Sequence, residues 1–467
     1  MTIVASLRAG FLSAIQQGAM RQALWALAAL CWACAAAAQG NVSPLPAAAA
    51  SSAVASPPVV SADAKRLYEH KREHLLQVRT VLVDQDSQAT VGSGFVVSPE
   101  GHVITNYHVV SQFLLDPQRY RLRYQNTWGQ SGELQVLAFD VRRDLALLRV
   151  VGAPAEMPHL SFRAVDKPLA KGERIYAMGN PEDIAFAIVE GNFNGLVERS
   201  FDPLIYYAGG LNPGMSGGPV LDDNGEVVGI NVAGQMFAQQ ISFLIPGEFA
   251  NQLLQRARQA VPVKGNVWPE LQRQLQAYQN ELVGQFLQMP WRNAGHDRYR
   301  LPVPQERFMR CWGKSSATQE KGMRYQSMQC RMDHAIYVSD RLQTGYISVQ
   351  HSTYDGRELG TARFTAQYSD AFKKQHLGRS GSAVTAPHCV EEFVRNNDGP
   401  VLRSVACLSA YRKLTGLYDL TVLVASADAA QAGTLGRLDA NGVTMDSARR
   451  LTRHFLQGYA WNKPASR

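Results

Sequence analysis

Charge is scarce in this chain and nowhere concentrated. Only 18% of its 467 residues are Asp, Glu, Lys or Arg, and the formal net charge of +8 is spread thinly. No basic run forms a stripe of the kind a nucleic-acid groove requires, so nucleic acid is not an expected partner. Phosphate cradles are missing too: no G-x-x-x-x-G-K-[ST] occurs, and no G-x-G-x-x-G stands between a strand and a helix, which removes any expectation of ATP dependence. The 11 histidines include no HExxH pair, so no metal or other cofactor is expected. Cysteine is rare, six residues in all. Two of them, Cys31 and Cys34, lie inside an apolar run and are no redox motif. The remaining four, Cys311, Cys330, Cys389 and Cys407, fall in the last third of the chain.

The apolar run itself, Ala23–Ala38, is 16 residues long and Ala-rich, short for a membrane span of about 20 residues. Arg8 and Arg21 precede it and Ala36-Ala37-Ala38 ends it. Basic flank, apolar centre and small-residue end describe a secretory signal peptide over 1–38, with an uncleaved anchor as the alternative. An Ala/Ser/Pro-rich linker follows over 39–63. Export to a periplasmic or extracellular space makes an even number of cysteines a disulfide set. Three pairings are open; Cys311–Cys330 and Cys389–Cys407 are expected because each closes a short loop.

Beyond the linker, Ala64–Gln77 reads as a short helix, and the period then changes to that of strands. Thr80–Asp84, Thr90–Ser98, Val103–Thr105, Tyr120–Tyr124, Leu134–Phe139 and Leu145–Val151 form one set. Arg174–Met178, Ala185–Val189, Leu204–Tyr207, Pro219–Leu221, Val227–Val232 and Ile241–Ile245 form a second. Two sets of about six short strands with no helix between them suggest paired antiparallel barrels over 64–250. Helical periodicity returns over 251–290, where Leu271, Leu275, Tyr278, Leu282 and Phe286 make a stripe expected to pack on the preceding barrel. Residues 291–467 read as a separate disulfide-containing α+β domain, with strands at Ala335–Val338, Tyr346–His351, Ala362–Tyr368 and Asp419–Ala425, a hairpin turn at Tyr354–Arg357, and a helix over Ser447–Leu456. The fold class is therefore mainly β.

Three segments of the barrel region carry chemistry. They are Gly92-Ser93-Gly94-Phe95 with Thr105-Asn106-Tyr107-His108-Val109-Val110, then Arg143-Asp144-Leu145-Ala146-Leu147-Leu148, then Asn212-Pro213-Gly214-Met215-Ser216-Gly217-Gly218-Pro219. A serine hydroxyl needs a base to take its proton, and an imidazole oriented by a carboxylate is the usual one. His108, Asp144 and Ser216 are the candidates. Glycines around Ser216 allow the sharp turn that aims two backbone N–H groups, those of Gly214 and Ser216, at a developing oxyanion. Asp140 is the competing acid. His102 is expected to face solvent, and Asp222-Asp223-Asn224-Gly225 reads as a hairpin turn rather than a calcium loop.

These motifs resemble the HtrA (DegP-type) branch of chymotrypsin-fold serine proteases. Tyr176-Ala177-Met178-Gly179-Asn180-Pro181 and Ile241-Ser242-Phe243-Leu244-Ile245-Pro246 are similar to further landmarks of that branch. The resemblance covers residues 80–250. It implies a chymotrypsin-like double β-barrel, an exported endopeptidase acting on protein or peptide substrates, and an S1 pocket near Gly210, Leu211, Asn231, Val232 and Ala233. With Gly210 where trypsin-like enzymes carry a carboxylate, small or medium apolar P1 residues are expected. No PDZ signature is seen after residue 250. Oligomeric state stays open, and so does a reading as a protease-fold binding or chaperone protein with little turnover.

Overall fold

The computed structural model describes residues 60–232, 241–293, 298–316, 322–396, 399–428 and 430–462. The signal-peptide and linker expectations up to residue 59, and the expectation for Ala233, lie outside the described residues.

A helix at Ala62–Lys71 precedes strands β1 (Leu75–Leu82), β2 (Gln88–Val96), β3 (His102–Thr105), β4 (Tyr120–Asn126), β5 (Ser131–Asp140) and β6 (Leu145–Val150). They close into a barrel in the order β1-β2-β3-β6-β5-β4. A second closed barrel, β10-β11-β12-β9-β8-β7, is made of β7 (Arg174–Gly179), β8 (Ala187–Leu196), β9 (Ile205–Ala208), β10 (Pro219–Leu221), β11 (Val227–Val232) and β12 (Ser242–Pro246). Closure leaves neither sheet an edge. Alternate residues of one strand serve different cores, as the twofold strand period requires. Leu76, Val103, Ala146 and Leu148 join one cluster, whereas Leu75, Ile104, Leu145 and Leu147 join a second with Tyr176, Met178, Leu221 and Ile230 of the other barrel. That second cluster seams the barrels together. It also takes Ala250, Leu253, Leu254 and Ala257 from the helix Gly247–Ala257.

The helix-to-strand boundary before β1 differs from the sequence reading, and β8 runs on to Leu196. Leu75, Leu76 and Gln77 are strand, not helix, because Leu76 pairs with both Gly94 and Asn126 and so closes the first barrel.

The long helix Trp268–Gln288 leads into the C-terminal part. Short strands β13 (Trp291–Asn293), β14 (Tyr299–Arg300) and β15 (Pro302–Pro304) precede β16 (Arg310–Ser315), β17 (Arg324–Arg331), a hairpin of β18 (Ile336–Ser339) and β19 (Leu342–Thr344), and β20 (Ile347–Asp355). Then come β21 (His388–Arg395), β22 (Val401–Ala410), β23 (Tyr418–Ser426), β24 (Ala432–Val443) and β25 (Ala460–Trp461). An antiparallel sheet runs β16-β17-β20-β24-β23-β22-β21. Its two edge strands are each stapled to their neighbour by a disulfide between directly paired residues, Cys311–Cys330 and Cys389–Cys407. An edge strand is hydrogen-bonded on one side only, so a covalent tie matters most there.

The helix Thr361–Lys373 covers one face of the sheet, and the helices Met445–Gln457 and Trp268–Gln288 cover the other. Ala362–Tyr368 is thus helical, which corrects the strand expected there. Phe364, Tyr368 and Phe372 are buried at helical spacing against Leu423 and Leu435. Tyr354–Arg357 does not turn one strand into the next: it ends β20, and the Gly356 N–H donates to the Gln431 carbonyl. The stripe on Trp268–Gln288 reaches further than the barrel. Leu271, Leu275, Tyr278 and Leu282 share one continuous core with Val136 and Phe139 of the first barrel and with Ile347, Leu420 and Leu438 of the C-terminal sheet.

Candidate active site

His108 lies in the first turn of the helix Tyr107–Leu115, which begins where β3 ends. Asp144 precedes β6, with φ 52°, a left-handed conformation that Asp tolerates better than most residues. Both ends of Asp144 are fastened to the His108 segment. Its carbonyl accepts from the Tyr107 N–H at 3.1 Å and from Asn106 Nδ2 at 2.8 Å. Its carboxylate accepts from the His108 N–H on Oδ1 at 2.8 Å and from His108 Nδ1 on Oδ2 at 2.6 Å. This double grip sets both ring orientation and tautomer, leaving Nε2 as the far nitrogen.

Burial by itself lowers the His108 pKa, but the charge and hydrogen bond of Asp144, assisted by Asp340, outweigh it and hold the value above 6.5. Asp140, the competing acid, is engaged by Arg143 and Arg256. His102 is buried rather than solvent-facing. Its Nδ1 meets Ser98 Oγ at 2.6 Å and its Nε2 meets the Arg258 carbonyl at 2.9 Å, because the end of the helix Gly247–Ala257 covers it.

Ser216 is buried in the loop between β9 and β10. The loop abuts the residues just before His108: a Cβ on Gly217, whose φ is +85°, would lie 2.4 Å from Thr105 Oγ1 and 2.8 Å from the Asn106 nitrogen. Only glycine fits that approach. The two peptides carrying the candidate oxyanion donors are held from behind. The Pro213 carbonyl accepts from the Glu182 N–H at 2.7 Å. The Met215 carbonyl accepts from the Gly218 N–H at 3.0 Å and from Asn231 Nδ2 at 3.2 Å. A trans peptide directs its N–H opposite to its C=O, so the N–H groups of Gly214 and Ser216 point away from those anchors. Glycine is required at 214 as well, where φ is +90° and a Cβ would meet the Asn180 carbonyl at 2.5 Å.

Sequence reasoning missed two of the supports. Ser93 clasps the loop across the barrels: its N–H donates to the Ser216 carbonyl at 2.7 Å and its hydroxyl to the Gly214 carbonyl at 2.8 Å. The Gly-Ser-Gly motif was the signal for it. Glu182 stands at φ 50° with no local sequence signature.

Of the residues expected near S1, Gly210 has open space where a Cβ would stand, and the Leu211 N–H donates to Ser242 Oγ at 3.1 Å. Asn231 is fully buried, with its amide on the Met178 and Met215 carbonyls. Val232 borders a cavity of about 450 Å³ that also reaches His108, Asp144 and the C-terminal residues His334 and Tyr337. Asp222 Oδ1 accepts from the Asn224 and Glu226 N–H groups in the β10–β11 hairpin turn. His70 and His74, one helical turn apart, both direct Nδ1 at backbone carbonyls. Among the described residues no group of three or more His, Cys, Asp or Glu side chains is arranged to hold a metal ion.

Residues 92–230 match the trypsin-like peptidase domain family. The chain is 33% identical over 178 residues to the "Probable periplasmic serine endoprotease DegP-like" of Chlamydia pneumoniae, covering 36% of this chain and 35% of that protein. It is 29% identical over 223 residues to the chloroplastic Protease Do-like 1 of Arabidopsis thaliana, covering 43% and 49%. The crystal structure of the serine endoprotease from Yersinia pestis aligns with 42% of this chain and 67% of its own, at 21% identity and a TM-score of 0.37. The chain thus spans between a third and a half of the length of these curated relatives.

Proposed function

We propose, from the match of residues 92–230 to the trypsin-like peptidase domain family, that this protein is an exported serine endopeptidase that hydrolyses protein substrates without ATP. Ser216 Oγ attacks the scissile carbonyl carbon while His108 Nε2 takes the hydroxyl proton. Asp144 stabilises the imidazolium, and the N–H groups of Gly214 and Ser216 receive the oxyanion. Collapse of the tetrahedral intermediate breaks the C–N bond, with His108 returning the proton to the leaving amine. Water, deprotonated by His108, then releases the acyl group from Ser216. Peptide hydrolysis runs downhill, so no nucleotide need be spent.

The observation that carries this reading is the two-point grip of the Asp144 carboxylate on His108, at 2.8 and 2.6 Å, next to a loop whose Pro213 and Met215 carbonyls are tied back. The disulfides suit an oxidising compartment, as does the periplasmic designation of the Chlamydia relative. The open space at Gly210, next to Leu211, favours small or medium apolar P1 residues. In this reading 1–38 is a signal peptide, 39–63 a linker, 64–250 the protease unit, 251–290 a helical connector, and 291–467 a C-terminal unit that borders the cleft.

Labelling of the purified protein by a fluorophosphonate tests the assignment. The probe should attach to the wild type at Ser216 and not to Ser216→Ala. Absence of label from both would refute a working serine nucleophile.

A further inference from the structure

One wall of the cleft beside His108 does not come from the barrels. It is the β18–β19 hairpin, seated on the helix that carries His108. Tyr107 Oη donates to the Val338 carbonyl at 2.9 Å, and Gln112 Nε2 donates to Asp340 at 2.9 Å. Tyr337 Oη meets Ser111 Oγ at 3.5 Å and also reaches Asp340. The hairpin is anchored from behind as well, since Ile336 and Val338 are buried in the core with Tyr278 and Leu275. Against this support the Tyr337 ring stands edge-on to the His108 ring, 6.0 Å between centroids. His334 stands edge-on to Phe243 of β12 at 6.2 Å. Between these rings, Phe201 and Val232 lies the cavity of about 450 Å³ that opens on His108.

Charge around this cavity is already spent within the chain. Arg142 pairs with Asp202 at 2.7 Å and Glu281 at 2.6 Å while lying over the Phe201 ring. Arg143 pairs with Asp140, and Asp144 holds His108. Burial lowers the His334 pKa, so its ring is neutral near pH 7. The Asp340 carboxylate is taken up by Gln112 Nε2 and Tyr337 Oη. What remains is an apolar, largely aromatic concavity beside the candidate base, which suits an apolar group.

We propose that Tyr337 and His334 are specificity-determining residues which, with Phe201, Val232 and Phe243, form a pocket for a bulky apolar side chain of the substrate flanking the scissile bond. The assignment rests on the endopeptidase reading above. It gives the C-terminal unit a share in substrate choice, through a wall that a peptidase domain ending at residue 250 would lack.

Cleavage-site profiling of a denatured-protein peptide library by the full chain tests it, with fluorophosphonate labelling run on every sample. The wild type should enrich Leu, Met, Phe or Tyr at one position within a few residues of the cut. Tyr337→Ala should flatten that enrichment and lower kcat/KM on such peptides by about 10-fold or more, mainly through KM. Tyr337→Phe, which keeps the ring, should restore both. Retained label separates loss of the pocket from loss of the fold. Should Tyr337→Ala not fold, His334→Ala should widen the accepted set at the same position. Unchanged profiles in both alanine variants that still label would overturn the assignment, as would enrichment of Lys or Arg at that position. A wild type that takes no label would overturn the endopeptidase reading, and this assignment with it.

Discussion

Asn231 offers the sharpest test of how the loop around Ser216 is held. Its side chain is fully buried, and its amide donates to the Met178 carbonyl at 2.9 Å and the Met215 carbonyl at 3.2 Å. The second bond matters because the Met215 carbonyl and the Ser216 N–H belong to one peptide plane, so fixing the former aims the latter. Asn231→Ala deletes both bonds, and at about 1 kcal/mol each plus the desolvated Met178 carbonyl the loss of stability should be about 2–4 kcal/mol. Losing an oxyanion donor outright typically costs about 100- to 1,000-fold in rate. The Met215 carbonyl retains the Gly218 N–H at 3.0 Å, so a smaller fall is expected, on the order of 10- to 100-fold. Denaturant unfolding reads the first quantity, and the fluorophosphonate labelling rate constant reads the second. Stability that falls by the expected amount while the labelling rate stays put would refute the aiming role. A shift in P1 preference at unchanged rate would make Asn231 a pocket wall instead.

Two further outcomes follow from ionisation. Because Asp144 holds the His108 pKa above 6.5 and the base must be neutral to act, kcat/KM should fall as pH drops through a value above 6.5. Asp144→Asn should move that limb to lower pH and cut kcat by about 10⁴-fold, both read from a pH–rate profile; an unmoved limb would separate Asp144 from His108. Burial depresses the His351 pKa from 6.5 to about 4, even though its Nε2 meets the Pro302 carbonyl. The unfolded chain therefore binds the extra proton in that window, and stability should be intact above pH 6.5 and decline by up to about 3 kcal/mol as pH falls toward 4. Urea unfolding at pH 7 and pH 4.5 measures the difference, which should shrink in His351→Gln if that variant folds.

Most of the two barrels was legible in the chain, because short β-branched alternations separated by turn residues have few other stable outcomes. The exceptions are instructive. Ala362–Tyr368 alternates like a strand over seven residues, yet Phe364, Tyr368 and Phe372 repeat every four, and a window extended to Phe372 exposes the helix. Leu75–Gln77 continues the leucine spacing of the helix before it and becomes strand because β2 and β4 are there to pair with it.

By sequence alone, the motifs around His108, Asp144 and Ser216 and the glycines beside Ser216 were readable, since each motif is a run of particular residue types within a few positions. The neighbour pairing of the cysteines was equally local, as each pair sits on adjacent antiparallel strands joined by a single connection. Tertiary structure alone decided which groups tie back the Pro213 and Met215 carbonyls, that Ser93 clasps the loop from the other barrel, and that Tyr337 stands beside His108 although 226 positions separate it from its partner Ser111. Contacts of that range leave no periodicity in the chain. They arise when the apolar faces of the first barrel, the helix Trp268–Gln288 and the C-terminal sheet close on one shared core, which carries the β18–β19 hairpin to the edge of the cleft.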